Sequence, residues 1–314
     1  MQSHFIRNSS ESPSKLKQLL GYLPLSVKRH LLYLKTYKRW GDFRDPKLFS
    51  EKMQWRIIND RRAILKDSCD KIAIGEHVRR IAVTKNLSLK VPQLLATGHS
   101  RDEMTSALRQ LSESGQLPVR WVLKPNNSSG RALLIDGPPD WGLVNRAMSE
   151  WSEVSRFVGL HWIWSYAVAQ PGFIAEEWIG SSSTPPVELS AWMVGGAARF
   201  FSLQRREVDG LRRNHYNEQW EEVPAWNNIP GQKLDISVPP HFFTQVLPCL
   251  TALGEGWDLL RIDLYYEQGT VWFGEMTSYP AEGLLSREGV EWFNEDVGRH
   301  WQLPSLNSVR EGNP

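Results

Sequence analysis

The run Leu259–Gly283, LLRIDLYYEQGTVWFGEMTSYPAEG, constrains this chain more than any other stretch. Aliphatic and aromatic residues flank the polar turn Glu267-Gln268-Gly269, where glycine accepts the backbone angles of a reversal, so the run predicts two adjacent strands. Two carboxylates interrupt it. Asp263 sits within Ile262-Asp263-Leu264-Tyr265, and Glu275 follows Val271-Trp272-Phe273. A carboxylate whose neighbours favour burial needs a cation, a metal or several donors, because an unpaired one loses its hydration and takes up a proton. Pairing across the short turn brings Asp263 and Glu275 within reach of one divalent ion. Mg2+ suits such oxygen ligands, and the chain offers no thiolate or imidazole cluster of the kind zinc takes. The competing arrangement pairs Asp263 with Arg261 or Arg287 and leaves Glu275 capping a loop.

At 314 residues, with 41% hydrophobic and 23% charged positions, the chain is long enough for two or three compact lobes with a substantial core. Cys69 and Cys249 are its two cysteines, which excludes a disulfide scaffold and fits a reducing cytoplasm. No apolar run reaches the roughly 20 residues that span a bilayer, and the N-terminus lacks the ordered regions of a signal peptide.

Charge is unevenly placed. Within residues 1–40, Arg7, Lys15, Lys17, Lys28, Arg29, Lys35, Lys38 and Arg39 stand against the single acid Glu11, although the formal net charge of the whole chain is only +2. Met1–Ser14 is polar and expected to be loose. Residues 15–40 alternate basic residues with leucines, interrupted by Gly21 and Pro24, which predicts two short helices. Such a segment can lie on an anionic membrane surface, or it can dock on the body of the protein with its basic face in water. No nucleic-acid recognition fold accompanies the charge, so nucleic acid is not an expected partner.

Further along, Ser50 is placed to cap a helix that buries Met53, Trp55, Ile57 and Ile58. A second helix is expected over Ser68–Ile81, bordered by Asp70, Lys71 and Glu76, for which surface salt bridging is the plain explanation. A helix around Asp102–Ser112 precedes the strand Val119–Lys124. That strand enters the loop Pro125-Asn126-Asn127-Ser128-Ser129-Gly130 and resumes as Arg131–Ile135. A loop of Asn, Ser and Gly can wrap closely around phosphate and offer backbone N–H groups, with Lys124 supplying positive charge at its mouth. A plain hairpin turn with a surface lysine is the alternative.

Trp141–Val158 reads as a helix. Phe173–Gly180 reads as a strand whose backbone can read the edge of a flat purine, and it leads into a soft break at Gly180–Thr184. Val187–Val194 and Ala197–Leu203 read as a hairpin turning at Gly195-Gly196, with Glu188 opening its first strand. Arg205–Trp220 is dense in donors, among them Arg205, Arg206, Arg212, Arg213, Asn214 and His215, and suits an anionic ligand. A long connection over Pro224–Pro240 leads to a helix from His241 to Leu253, distorted at Pro248. Trp292-Phe293 anchors a final helix, and residues 305–314 form a polar tail.

Taken in order, FRDPKLFSEKMQW, CDKIAIGEHV, WVLKPNNSSG, FIAEEW, RRNHYNEQW and RIDLYYEQGTVWFGEMTSYPAEG resemble the TupA-like ATP-grasp family, which is associated with bacterial cell-surface polysaccharide synthesis. The resemblance covers residues 43–304. It implies an α+β fold that holds a nucleotide between two lobes, with the cofactors ATP and Mg2+. The implied division is a basic helical extension with docking helices over 1–65, a small lobe with the phosphate loop over 66–184, a large lobe with the metal site over 185–304, and the tail.

By the same resemblance Lys124, the Ser128-Ser129-Gly130 loop and Lys71 contact phosphate. Glu176, Glu177, Trp178 and Ile179 face adenine, and Glu188 binds ribose. Asp263 and Glu275 hold the metal, with Thr277 where the broader pattern has asparagine. Independently of the resemblance, Arg261 or Arg213 is a donor able to stabilise charge that develops during transfer. Ser128 stands where relatives often carry glycine, and Ser190 where a lysine is common.

The implied reaction is ATP-dependent joining of a carboxylate to an amine through an acyl phosphate. Its substrates would be surface-polysaccharide precursors, and its location the cytoplasm, with residues 15–40 available to the inner face of a membrane. The alternatives are a glycosyl- or phosphotransferase and a nucleotide-binding protein without turnover.

Overall fold

The computed structural model describes residues 4–6, 22–153, 161–180, 186–207, 210–223, 240–285 and 290–307. Eleven strands occur among them. In chain order they are β1 (His4–Ile6), β2 (Leu89–Lys90), β3 (Leu94–Gly98), β4 (Arg120–Pro125), β5 (Ala132–Asp136) and β6 (Phe173–Glu177), then β7 (Val187–Val194), β8 (Ala197–Glu207), β9 (Gly210–Asn217), β10 (Leu259–Glu267) and β11 (Thr270–Thr277). The chain forms two compact α+β units, one of residues 1–29, 63–74 and 92–178, the other of 30–62, 75–91 and 179–314.

The first unit contains a five-stranded antiparallel sheet in the order β1-β5-β4-β6-β3. Side chains alternate across a strand, so Trp121 and Leu123 of β4, Leu133 and Ile135 of β5, and Phe173 and Ala175 of β6 share one side. Helices Arg101–Glu113 and Trp141–Glu153 bury Met104, Leu108, Val144 and Met148 against that side. Lys124 and Glu176 therefore belong to the opposite side.

The second unit contains a six-stranded sheet, β2-β11-β10-β7-β8-β9, antiparallel except for the edge pair β2–β11. One side is apolar: Ile262, Leu264, Leu189, Ala191, Phe201 and Leu203 are buried on it. Helix Pro240–Gly254 covers it, with the Phe242 ring 4.8 Å from Tyr266 and the Phe243 ring 3.8 Å from Trp220, which stacks on Phe201. The other side is polar toward β9. At its Trp192 end it is closed by helices Phe49–Asn59 and Val290–His300, whose Phe49 and Phe293 rings meet Trp192 edge-on at 5.5 and 4.8 Å.

Several local expectations change. His4–Ile6 is a strand, because it completes the sheet edge against Leu134–Ala132 where a loose segment was expected. Helix Phe49–Asn59 starts one residue before Ser50, so Ser50 is no cap. Its amide instead donates to Asn294 Oδ1 at 2.7 Å, and the Glu51 carboxylate accepts the amides of Lys47 and Leu48 at the helix start. The next long helix begins at Lys71 rather than Ser68, since Asp70 Oδ1 accepts the amides of Ile72 and Ala73, both at 3.0 Å. The donor-rich run is largely strand β9, and the β8–β9 pairing places Arg213 with Gln204 on the polar side and Arg205 with Arg212 on the other. The first of the two basic helices over 15–40, the end of the helix expected over Trp141–Val158 beyond Glu153, the Gly180–Thr184 break beyond Gly180, the connection from Pro224 to Pro239, Arg287 with Glu288, and the tail beyond Asn307 lie outside the described residues.

Candidate functional site

Two constellations hold the residues singled out above, one in each unit. In the first unit, β4 delivers Lys124 to the mouth of the loop after Pro125. Asn126 anchors that loop. Fully buried, it receives the Ile72 amide on Oδ1 at 3.1 Å, donates Nδ2 to Gln170 O at 2.8 Å, and donates its own amide to Gly172 O at 2.8 Å. Lys71 Nζ donates to the carbonyl of Ser128 and, at 3.4 Å, to that of Asn126, so it tethers the loop rather than bridging along the helix surface. Gly130 has φ of 68°, which glycine reaches without strain. Ser128 Oγ is buried with no hydrogen-bond partner among the described residues. Lys124 is paired with Glu176 on the neighbouring strand, so its charge is compensated within the unit.

The adenine-reading candidates divide between local roles. Glu177 Oε1 accepts the Gln93 amide at 2.8 Å, an interaction that joins the end of β6 to the start of β3. The Arg120 guanidinium lies 6.0 Å from the Trp178 ring and pairs with Asp136 at 3.1 Å. Trp178 ends the first unit's run and Ile179 begins the second's.

In the second unit the sheet register arranges the acids. Asp263 is opposite Glu275 on β11 and opposite Ser190 on β7, and Arg261 is opposite Thr277. Simple alternation would put Glu275 on the same side as Phe273, which is buried. A bulge prevents this: Leu264 pairs with Phe273 and Asp263 with Glu275, leaving Gly274 as the extra residue. Gly274 has to be glycine here, since a Cβ would stand 2.8 Å from both Asp263 O and the Tyr265 ring.

Arg261 grips Asp263 with Nε to Oδ1 at 2.9 Å and Nη2 to Oδ2 at 2.6 Å, a two-pronged charge-assisted contact. Of the two open arrangements for Asp263, its Arg261 pairing is therefore present. Although burial opposes charge on Arg261, Asp263, Glu275 and Glu188 raise its pKa. Glu188 accepts from Gln204 and, at 3.4 Å, from Ser190 Oγ, while Arg213 Nε donates to Gln204 Oε1 at 2.8 Å. Burial, with the neighbouring charges of Asp263 and Glu275, pushes the Glu188 carboxyl up to about 7. Glu188 is half-buried near the start of β7. Thr277 Oγ1 is buried without a hydrogen-bond partner among the described residues.

Three features were missed from sequence. Arg56 is fully buried beside the start of β10, Asn126 anchors the loop, and His215 Nδ1 lies 2.7 Å from Ser202 Oγ on the polar side of the sheet. A signal for Asn126 existed in its position at the end of a strand before a Ser-rich loop. Arg56 had none, because it sits in an ordinary amphipathic pattern.

Among the described residues no group of three or more His, Cys, Asp or Glu side chains is arranged to hold a metal ion. No protein-family model and no curated protein matches the chain. Solved structures do resemble it. N5-carboxyaminoimidazole ribonucleotide synthetase in complex with ADP is 12% identical at a TM-score of 0.42, covering 68% of this chain and 45% of that one. This chain thus spans less than half of that protein's length. D-alanine–D-alanine ligase from Bacillus anthracis is 14% identical at 0.43, with 82% and 74% covered. The same enzyme from Helicobacter pylori is 11% identical at 0.45, with 81% and 68% covered.

Proposed function

We propose that this protein is an ATP-grasp ligase that uses ATP and Mg2+ to join a carboxylate to an amine. The observation that carries the reading is the Asp263–Glu275 pair, set opposite each other by the Gly274 bulge with Arg261 and Thr277 beside them. The donor set fits a hard cation. It offers two carboxylates and a buried hydroxyl that lacks a partner among the described residues, all oxygen. Asp263, Glu275 and Thr277 would hold Mg2+, which when bound neutralises phosphate charge.

The chain's own groups supply the rest. Lys71 and Lys124, with the Ser128–Gly130 backbone, suit the phosphates, and Glu188 suits ribose hydroxyls. An oxygen of the substrate carboxylate attacks the γ-phosphorus. The bond to the bridging oxygen breaks, and its electrons leave with ADP. The amine then attacks the acyl carbon, the carbon–oxygen bond to phosphate breaks, and the amine's proton is released. Arg261 and Arg213, fixed by Asp263 and Gln204, are the cations available to stabilise negative charge that develops. Surface-polysaccharide precursors are the proposed substrate class, on the resemblance of the ordered motifs. The proposed place of action is the cytoplasm, with residues 15–40 touching the inner face of a membrane.

One observation favours a second reading, a nucleotide-binding protein without turnover: Lys124 is paired with Glu176 and Asp263 with Arg261. Phosphorus NMR of the protein with Mg-ATP and a panel of cell-envelope acids and amines separates the two. ADP and phosphate that appear only with both substrates, and not in Glu275→Gln, support the ligase. Binding without turnover across the panel favours the second reading, and AMP with pyrophosphate would replace the acyl phosphate by an adenylate.

A further inference from the structure

Arg56 is charged and has no exposed surface. It belongs to helix Phe49–Asn59, and its guanidinium reaches the end of the β10–β11 ladder. Nη1 donates to Leu259 O at 3.0 Å and to Ser278 O at 2.8 Å. Leu259 is the first residue of β10, and Ser278 follows the last residue of β11. The final register pair between these strands is Arg261 with Thr277, so one nitrogen ties the two chains together just beyond it.

The guanidinium is itself held. Nη2 pairs with Asp258 Oδ2 at 2.6 Å, and its carbon lies 4.5 Å from the centre of the Trp301 ring. Asp258 also accepts from Arg62 at 2.9 Å and from Trp301 Nε1 at 2.8 Å. Burial alone would raise the Asp258 pKa, yet Arg56 and Arg62 hold it well below the usual carboxylate range.

A buried ion pair adds little net stability, because desolvation offsets the attraction. Arg56 bears a further cost, since its Nε is buried with no hydrogen-bond partner among the described residues. Asp258 would keep two donors without it. What Arg56 supplies is one nitrogen, Nη1, that bonds both strand ends while Nη2, the other arm of the fork, is held by Asp258.

We infer that Arg56 is a positioning residue. It fixes β10 against β11 at the end nearest Arg261 and Thr277, and so sets the spacing of Asp263 and Glu275. The inference rests on the reading of that acid pair given under the proposed function. Lysine cannot take its place, because its single nitrogen on a flexible stem has no second arm for Asp258 to hold while it bonds both strand ends.

The test compares wild type, Arg56→Lys and Asp258→Asn by hydrogen–deuterium exchange of the metal-free protein and by the Mg2+ concentration that gives half-maximal turnover. The expected result is faster exchange confined to residues 259–265 and 272–279 in both variants. The half-saturating Mg2+ concentration should rise about 10- to 100-fold in Arg56→Lys, with KM for ATP little changed. Exchange that is unchanged, or faster throughout the second unit, would overturn the inference and leave Arg56 as a core residue. If Arg56→Lys does not fold, Asp258→Asn decides alone by the same exchange pattern. If wild-type protein turns over no substrate, the ligase reading fails while the exchange comparison still tests the clamp.

Discussion

Asp263 and Glu275 face each other across β10 and β11 because one additional residue, Gly274, lies between Glu275 and Phe273. Were Gly274 a regular ladder residue rather than a bulge, Glu275 would point with Phe273 into the layer beneath helix Pro240–Gly254. The bulge therefore converts a hairpin with one acid on each side into a hairpin with both on the same side.

The two acids should respond differently to neutralisation. Glu275→Gln is expected to melt near the wild-type temperature and to lose at least about 100-fold in Mg-ATP turnover, as seen when a group acting on developing charge or metal is removed. Asp263→Asn should lose activity and stability together, because it removes the negative charge and one of the two acceptors that Arg261 contacts at 2.9 and 2.6 Å. Phosphate release and thermal melts of the two variants check this.

Glu188 makes stability fall as pH rises. Its ordinary pKa is 4.5, and the folded protein raises it to about 7. Below 4.5 the group is neutral in both states and costs nothing. Between 4.5 and 7 the unfolded chain ionises while the folded protein stays protonated, and above 7 the penalty is fully present, at about 3 kcal/mol or less. Glu188→Gln should therefore match wild type near pH 4.5 and exceed it at pH 8. Denaturant unfolding in a chelator across this range measures the difference, and a gap that narrows with rising pH would contradict the assignment.

Gly274→Ala tests the bulge. The added carbon would lie 2.8 Å from a backbone oxygen that the ladder holds in place, so the strands must shift. A loss of about 1–3 kcal/mol is expected in urea unfolding, together with lost turnover. Alanine at Gly269, where a Cβ meets nothing within 4 Å, separates crowding from backbone strain, since its φ of 80° imposes strain alone.

Thr277→Val removes a buried hydroxyl that lacks a partner among the described residues and keeps the side chain's shape. Metal-free protein should hold its stability or gain about 1 kcal/mol, because no hydrogen bond is lost. The Mg2+ needed for turnover should rise. Parallel melts in chelator and in Mg2+ distinguish the two effects.

Much of this arrangement is readable in the residues themselves. The β10–β11 hairpin announces itself through Glu267-Gln268-Gly269 between apolar runs, and the strand–loop–strand around Lys124 through Pro125–Gly130. Burial is harder to read. Glu188 looks like a strand end, yet Gln204, Asp263 and Tyr265 surround it only after β8 and β10 flank β7. Asp70 and Ser50 are both good caps by residue type, and only the chain's path decides that Asp70 serves and Ser50 does not. Lys124 and Glu176 lie fifty-two positions apart, so no local pattern reveals that each neutralises the other.

The two sides of the six-stranded sheet have one more consequence. A slip of β10 by a single residue would carry Arg261, Asp263 and Tyr265 under helix Pro240–Gly254 and expel Ile262 and Leu264 into the polar layer. Such a misaligned form would be both charged within its oily interior and sticky on its surface. It would be removed by unfolding or aggregation before it could persist as a well-folded but inert molecule. The interior of this unit thereby proofreads the alignment of its own acids.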